Sequence, residues 1–244
     1  MKKGTLKQIL LITDGCSNQG EDPVAMAALA REQGVAVNVV GVLDRFDTQE
    51  DRALREVEEI ARAGGGISQI VQTHQLVQTV QTVTRQAMTQ TIRGVVNREL
   101  QDILGHEKAV EDLPPEKQGK IMEVVDEMGE QADLIVCILV DTSASMKSKL
   151  ATVKEALTDL SLSLSARMGD NLFALYLFPG KRQPVRRAVG WTRKLEHIEH
   201  AFAKVGARGV TPTGPALREA LKSFDRSAGR NLSADDENYN DEAR

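Results

Sequence analysis

Cysteine and aromatic residues are scarce in this sequence. Two cysteines among 244 residues exclude a disulfide framework and a cysteine-rich zinc cluster. An aromatic fraction of 3% provides too few rings for a stacking surface that binds single-stranded nucleic acid. The formal net charge of -4 argues against nucleic-acid binding over the whole surface. No Gly-x-x-x-x-Gly-Lys-Ser/Thr motif occurs, which counts against a nucleotidase.

Long apolar runs are also missing. Near the N-terminus the apolar run from Ile9 to Ile12 is too short for a signal peptide or a membrane span. We therefore expect a cytoplasmic protein in a reducing compartment, without membrane contact. The hydrophobic fraction of 41% and the charged fraction of 27% are typical of a soluble globular protein that buries one sizeable core.

Strand-like and helix-like segments alternate along the chain, which predicts an α/β fold. The strand-like segments lack polar alternation, as is typical of strands buried on both faces of a parallel sheet. They lie at 8–13, 35–43, 67–71, 134–140, 171–178 and 185–189. Helical patterns cover 23–33, 51–63, 73–104, 116–131, 150–164, 195–205 and 216–224. We expect a doubly wound, mostly parallel six-stranded sheet with helices on both faces and one antiparallel edge strand.

Two of the predicted strands end at an aspartate. The first runs into Thr13-Asp14-Gly15, and the fourth runs into Asp141-Thr142-Ser143-Ala144-Ser145. In an open parallel sheet, ligands bind beyond the carboxyl ends of the strands where the winding reverses. If these strands are neighbours, the two aspartates and two serines converge, and such hard oxygen donors suit magnesium rather than zinc. The alternative is that both aspartates cap loop amides at the strand ends.

These motifs resemble the von Willebrand factor A (VWA) family. Asp141 to Ser145 matches its Asp-x-Ser-x-Ser signature, and Gly-Val-Thr-Pro-Thr-Gly at 209–214 is similar to the loop that supplies a threonine ligand. Thr13-Asp14-Gly15 is similar to the strand end that supplies a second aspartate. The resemblance implies a metal-ion-dependent adhesion site that binds Mg²⁺, with Mn²⁺ or Ca²⁺ as alternatives. Its metal ligands would be Asp14, Asp141, Ser143, Ser145 and Thr211.

The order of the motifs departs from the family pattern. In the family, the Asp-x-Ser-x-Ser strand comes first and the Thr-Asp-Gly strand last, whereas here the Thr-Asp-Gly strand leads the chain. We therefore expect one circularly permuted VWA domain over 1–224, with the family's second half at 1–104, a helical connector at 105–132 and the family's first half at 133–224. Closure within one chain is favoured over a domain-swapped dimer. The acidic segment 225–244 is expected to be a mobile tail.

The resemblance implies that the site captures an Asp or Glu carboxylate of a protein partner, so that the chain is a non-enzymatic adhesion or scaffold module. A similarity to uncharacterised VWA proteins of spore-forming Bacillota suggests a role in sporulation. One alternative is a metal-dependent hydrolase, although no candidate nucleophile or general base stands beside the site. An acidic side chain of the tail could also dock into a metal site, the candidates being Asp235, Asp236 and Glu237.

Basic residues accompany the predicted edge strand. Edge protection against aggregation is the favoured explanation, and a nucleic-acid-associated adaptor is the alternative. The cluster surrounds Trp191 and comprises Lys181, Arg182, Arg186, Arg187, Arg193 and Lys194.

Overall fold

The structure, a computed structural model, describes residues 4–43, 50–104, 110–193, 201–202 and 209–228. Within these ranges it contains six strands and six α-helices of at least ten residues. The strands are β1 (Thr5–Thr13), β2 (Val35–Val42), β3 (Gly65–Val71), β4 (Asp133–Asp141), β5 (Asn171–Phe178) and β6 (Arg186–Thr192). The helices are α1 (Pro23–Glu32), α2 (Glu50–Ala63), α3 (Leu76–Leu104), α4 (Pro115–Gln131), α5 (Leu150–Ser165) and α6 (Thr213–Ala228).

The strands form a single sheet with the order β3-β2-β1-β4-β5-β6. All neighbours are parallel except β5 and β6, which pair antiparallel at one edge. This confirms the predicted doubly wound, mostly parallel sheet with one antiparallel edge strand. In the central pair, Ile12 of β1 lies opposite Val140 of β4. The two aspartates that follow these residues therefore lie at the same edge of the sheet.

Helices cover both faces of the sheet. Alternate side chains of β1 enter two different cores: Leu10 and Ile12 pack with α3, α4 and α5, whereas Ile9 and Leu11 pack with α1, α2 and α6. Side chains from Val136 to Asp141 in β4 are all buried. Burial on both faces explains why these strands show continuous apolar runs instead of polar alternation.

The winding of the chain reverses between β1 and β4. From β1 the chain moves outward through β2 to β3, and from β4 it moves the other way through β5 to β6. The helices that follow the two central strands, α1 and α5, belong to opposite faces. The loops after β1 and β4 therefore diverge, and this leaves a crevice beyond the carboxyl ends of both strands.

Several element boundaries differ from the predicted ones. The long α3 continues through Gly94 without a break, because its buried face contributes more than the roughly 1 kcal/mol that an interior glycine costs. Strand β3 begins at Gly65, two residues before the predicted start at Ile67. A Cβ on Gly66 would collide with the carbonyl oxygen of Val37, so glycine permits the close pairing of β3 with β2. Helix α6 extends four residues beyond the predicted end at Phe224.

Parts of three predictions lie outside the described residues. Of the helix predicted at 195–205, only Ala201 and Phe202 are described, and both are helical. In the connector, 105–109 is not described, whereas a short 3₁₀ turn at Val110–Asp112 precedes α4. The tail beyond residue 228 is likewise outside the described part. No helix in the described ranges combines the length and the apolar character needed to cross a membrane.

Candidate metal centre

Side chains join the ends of β1 and β4 directly. The hydroxyl of Thr13 donates a hydrogen bond of 2.8 Å to Asp141 Oδ2. The backbone N–H of Ser143 donates to the other oxygen of the same carboxylate, Asp141 Oδ1, also at 2.8 Å. The second contact is the amide cap expected if Asp141 were a strand-end cap. Together the two bonds fix the orientation of the carboxylate at the centre of the crevice.

A chain of hydroxyl contacts continues from this loop to the second aspartate. Ser143 Oγ lies 3.1 Å from Ser145 Oγ. Ser145 Oγ in turn donates to Asp14 Oδ1 at 2.8 Å. The structure therefore brings Asp14, Asp141, Ser143 and Ser145 into one network of oxygen atoms, although 127 residues separate the two aspartates along the chain.

The fifth predicted residue, Thr211, lies in the loop that leads into α6. Its backbone N–H donates to Asn18 Oδ1 at 2.8 Å, and its carbonyl oxygen accepts from Asn18 N at 3.2 Å. Ser17 Oγ donates to the same carbonyl at 3.3 Å. These bonds tie the threonine loop to the loop that begins at Asp14. A Cβ on Gly214 would collide with the carbonyl oxygen of Glu21, so glycine is required where the two loops pack.

Lys149 is a charged neighbour of the centre that sequence reasoning missed. Its Nζ lies 2.6 Å from Asp14 Oδ2, and both side chains are buried, with 9% and 1% of their surfaces exposed. The same ammonium donates to the carbonyl oxygen of Val42 at 2.9 Å. No local signal in the sequence points to this role, because lysine in a loop before a helix is ordinarily exposed.

Burial controls the electrostatics of Asp141. Loss of solvation raises the pKa of this carboxyl group from 3.8 to about 6, although hydrogen bonds from Ser143 and Thr13 act in the opposite direction. The negative charge of Asp14 adds slightly to the rise. The centre therefore binds a proton more readily than an exposed aspartate does.

This pKa predicts an unusual pH dependence for the metal-free protein. Because Asp141 is a stronger base in the folded chain than in the unfolded chain, its contribution to stability is greatest below pH 3.8 and is lost as the pH rises through about 6. The full difference between the two pKa values of Asp141 corresponds to about 3 kcal/mol in the free energy of unfolding. Urea unfolding of the wild type and of Asp141→Asn in EDTA between pH 4 and 8 isolates the contribution of this carboxyl group to the free energy of unfolding. Identical pH profiles for both proteins would contradict it.

The donor set consists of oxygen atoms only. Two carboxylates and two or three hydroxyl groups are ligands of the type that Mg²⁺ and other hard divalent ions prefer. Within the described ranges, no three His, Cys, Asp or Glu side chains form a group that could hold a metal. A metal at this crevice would therefore depend on the serine and threonine hydroxyls as well as on the two aspartates.

The basic residues near β6 lie on this edge strand and in the segments next to it. Lys181, Arg182, Arg187 and Arg193 are exposed. Arg186 is half-buried and donates to the carbonyl oxygen of Ala201 at 2.8 Å. Trp191 packs on Phe224 of α6, with ring centroids 5.3 Å apart, so its ring contributes to the core. Lys194 lies outside the described residues.

Comparison with known proteins supports the resemblance seen in the sequence. The profile of the von Willebrand factor type A domain matches residues 136–237, which include the Asp-x-Ser-x-Ser motif and Thr211 but not Asp14. Over 243 residues the chain is 56% identical to the uncharacterized protein YabS of Bacillus subtilis, and the alignment covers 99% of each chain.

Solved structures extend the comparison to the fold. An uncharacterized protein from Alicyclobacillus acidocaldarius is 40% identical and superposes with a TM-score of 0.83 over 92% of this chain and 95% of that chain. Proximal thread matrix protein 1 of the mussel byssus, solved with a zinc-occupied MIDAS (metal-ion-dependent adhesion site) motif, is 16% identical. The match covers 84% of this chain and 43% of that chain, and its TM-score of 0.26 is too low for a comparison of sites. From its motifs, its fold and its relatives, the chain belongs to the von Willebrand factor type A domain family.

Proposed function

We propose that this protein is a divalent-metal-dependent binding module that captures a carboxylate of a protein partner. The observation that carries the proposal is the convergence of Asp14, Asp141, Ser143 and Ser145 at the carboxyl ends of two adjacent central strands. VWA domains in general mediate protein interactions, and the chain belongs to that family. Magnesium is the proposed ion, because the donors are hard oxygen atoms.

Each residue of the centre has a distinct proposed role. The hydroxyls of Ser143, Ser145 and Thr211 would be neutral ligands, whereas Asp14 and Asp141 would contribute negative charge directly or through water. When bound, Mg²⁺ supplies a Lewis acid that accepts a carboxylate oxygen. The neutral hydroxyls do not cancel the charge of the ion, so this arrangement favours an anionic partner group.

The surroundings of the centre leave room for a partner. Ser145 and Ala144 are exposed, and Val210, next to Thr211, is 39% exposed. An open groove of about 750 Å³ lies between the loop 17–24 and α2, and Arg52, Arg55 and Glu59 contribute to its lining. The groove continues from the loop that Thr211 contacts. A protein segment with an acidic side chain could therefore reach the centre and extend along the groove.

Circular permutation of the domain is part of the proposal. The family profile begins at residue 136, and Asp14, the second carboxylate of the centre, precedes the matched segment. Pairing of β1 with β4 within one chain supports closure as a monomer. Helix α4 of the proposed connector packs against α3, and its Val125 enters the core. A cytoplasmic location, expected from the lack of long apolar runs in the sequence, and a role in sporulation, suggested by the sequence resemblance, complete the proposal.

A pull-down from lysate tests the proposed function. Immobilised protein is incubated with Mg²⁺ or with EDTA, and Ser143→Ala is compared with Ser148→Ala, which alters an exposed serine in the same turn. We expect specific proteins to be retained by the wild type and by Ser148→Ala in Mg²⁺, released by EDTA and not retained by Ser143→Ala. Retention of the same proteins in EDTA would contradict a metal-dependent module.

A further inference from the structure

Lys149 crosses the crevice to reach the second aspartate. Its backbone lies at the N-terminal end of α5, beyond β4, whereas its ammonium bonds to Asp14 after β1 and to the carbonyl oxygen of Val42 at the end of β2. One side chain thus connects the carboxyl ends of two strands to the helix that follows a third. Helix N-caps favour Ser, Thr, Asp or Asn, and Lys149 makes no side-chain capping bond, so local helix formation does not explain lysine here.

The two oxygens of Asp14 have different partners. Oδ1 accepts from the hydroxyl of Ser145, which belongs to the proposed ligand set, whereas Oδ2 accepts from Lys149. The ammonium therefore lies on the side of the carboxylate away from the serine. Lys149 can keep its bond to Oδ2 while Oδ1 and the serine hydroxyls face a bound ion.

The ammonium changes the charge of the centre. Asp14 and Asp141 carry two negative charges when ionised, and Lys149 reduces the total to one. A divalent ion would then leave one net positive charge, which a single partner carboxylate neutralises. Without the lysine, the two aspartates alone would neutralise the ion, and attraction for a further carboxylate would be weaker.

We propose that Lys149 is an internal cation that tunes this centre: it holds Asp14 in place in the metal-free protein, weakens metal binding and keeps the loaded centre attractive to anions. This inference rests on the proposed metal-binding function. A purely structural ion pair would also stabilise the fold. Only an electrostatic role, however, makes the effect of Lys149 on ion affinity depend on the charge of the ion.

Calorimetric titration with Mn²⁺ and with Tb³⁺ tests the inference. Lys149→Met removes the charge and keeps the length of the side chain, and Lys147→Met is the matched control because Lys147 is exposed in the same turn. We expect Lys149→Met to bind Mn²⁺ about tenfold more tightly than the wild type and Tb³⁺ about thirtyfold more tightly, because Coulomb energy scales with ion charge. Lys147→Met should stay within about twofold of the wild type for both ions.

A second measurement guards against a folding defect. Because Lys149→Met leaves Asp14 buried without its cation, its melting temperature in EDTA should fall below that of Lys147→Met. If Lys149→Met does not fold, Lys149→Gln removes the charge while retaining a hydrogen-bond donor. Lys149→Gln should then bind both ions more tightly than the wild type, with the larger gain in affinity for Tb³⁺. A wild type that binds neither ion would overturn the metal centre and this inference with it. A wild type that binds both, with affinities unchanged in the Lys149 variants, would overturn the inference alone.

Discussion

Replacement of Asp141 by alanine is expected to abolish the thermal stabilisation of this protein by Mg²⁺. Asp141 is fully buried between the two central strands, where Ser143 and Thr13 orient its carboxylate. The proposed centre would lose one of its two carboxylates and the residue that positions the serine loop. At an ion concentration of one hundred times Kd, a ligand stabilises a protein by about 2.7 kcal/mol, which corresponds to a rise in Tm of about 5–10 °C for a domain of this size.

Thermal unfolding with and without Mg²⁺ checks this result. The informative quantity is the change in Tm on adding the ion, because Asp141→Ala also alters the stability of the metal-free protein. Asp126→Ala, which removes an exposed carboxylate on α4, is the control and should keep the full wild-type shift. Equal Mg²⁺-induced changes in Tm for the wild type and Asp141→Ala would contradict the proposed metal centre.

Replacement of Arg167 by alanine is expected to destabilise the fold by about 3–5 kcal/mol, and to lower Tm by about 10 °C. Arg167 is buried and donates hydrogen bonds to the carbonyl oxygens of Gly129 and Ala132 and to Asn171 Oδ1, the last two at 2.7 and 2.6 Å. These bonds anchor the end of α4, the proposed connector helix, to the start of β5. Alanine would leave the buried carbonyl group of Ala132, the partly buried carbonyl group of Gly129 and the amide oxygen of Asn171 without these partners.

Urea unfolding provides the measurement for Arg167, and Arg193→Ala provides the matched control. Arg193 is 45% exposed in its side chain and lies 3.5 Å from Asp170, so its loss should change the free energy of unfolding by less than about 1 kcal/mol. Arg167→Lys should restore little of the stability, because an ammonium cannot reproduce the planar fork of a guanidinium. Equal stabilities of the two alanine variants would show that this anchor does not stabilise the connector.

The local pattern of the sequence was sufficient to predict the architecture. Continuous apolar runs predicted strands buried on both faces, and helical periodicity between them predicted the doubly wound arrangement, which the structure confirms. One boundary differs from the prediction because tertiary contacts override a local signal. Gly65 and Gly66 follow closely after the end of α2 and already belong to β3, because β2 approaches closely there.

The candidate ligands were also predictable, because each lies at a strand end or in a loop with a short motif. Asp14, Asp141, Ser143 and Ser145 meet as the order of the strands requires. Their role as metal ligands remains a prediction. The contact between Thr211 and Asn18 could not be predicted, since 193 residues separate the two in the chain and no periodicity relates them.

The sequence by itself determined which strands are buried, where the carboxylates and hydroxyls of the centre lie along the chain, and the family to which the chain belongs. Only the tertiary structure decided that Lys149 pairs with Asp14 and that Arg167 anchors helix α4. The physical reason is that burial of apolar residues follows a short repeat along the chain. The partner of a buried charge instead depends on which distant segments the fold brings together, and a lysine or arginine in a loop looks the same in the sequence whether it is solvated or paired.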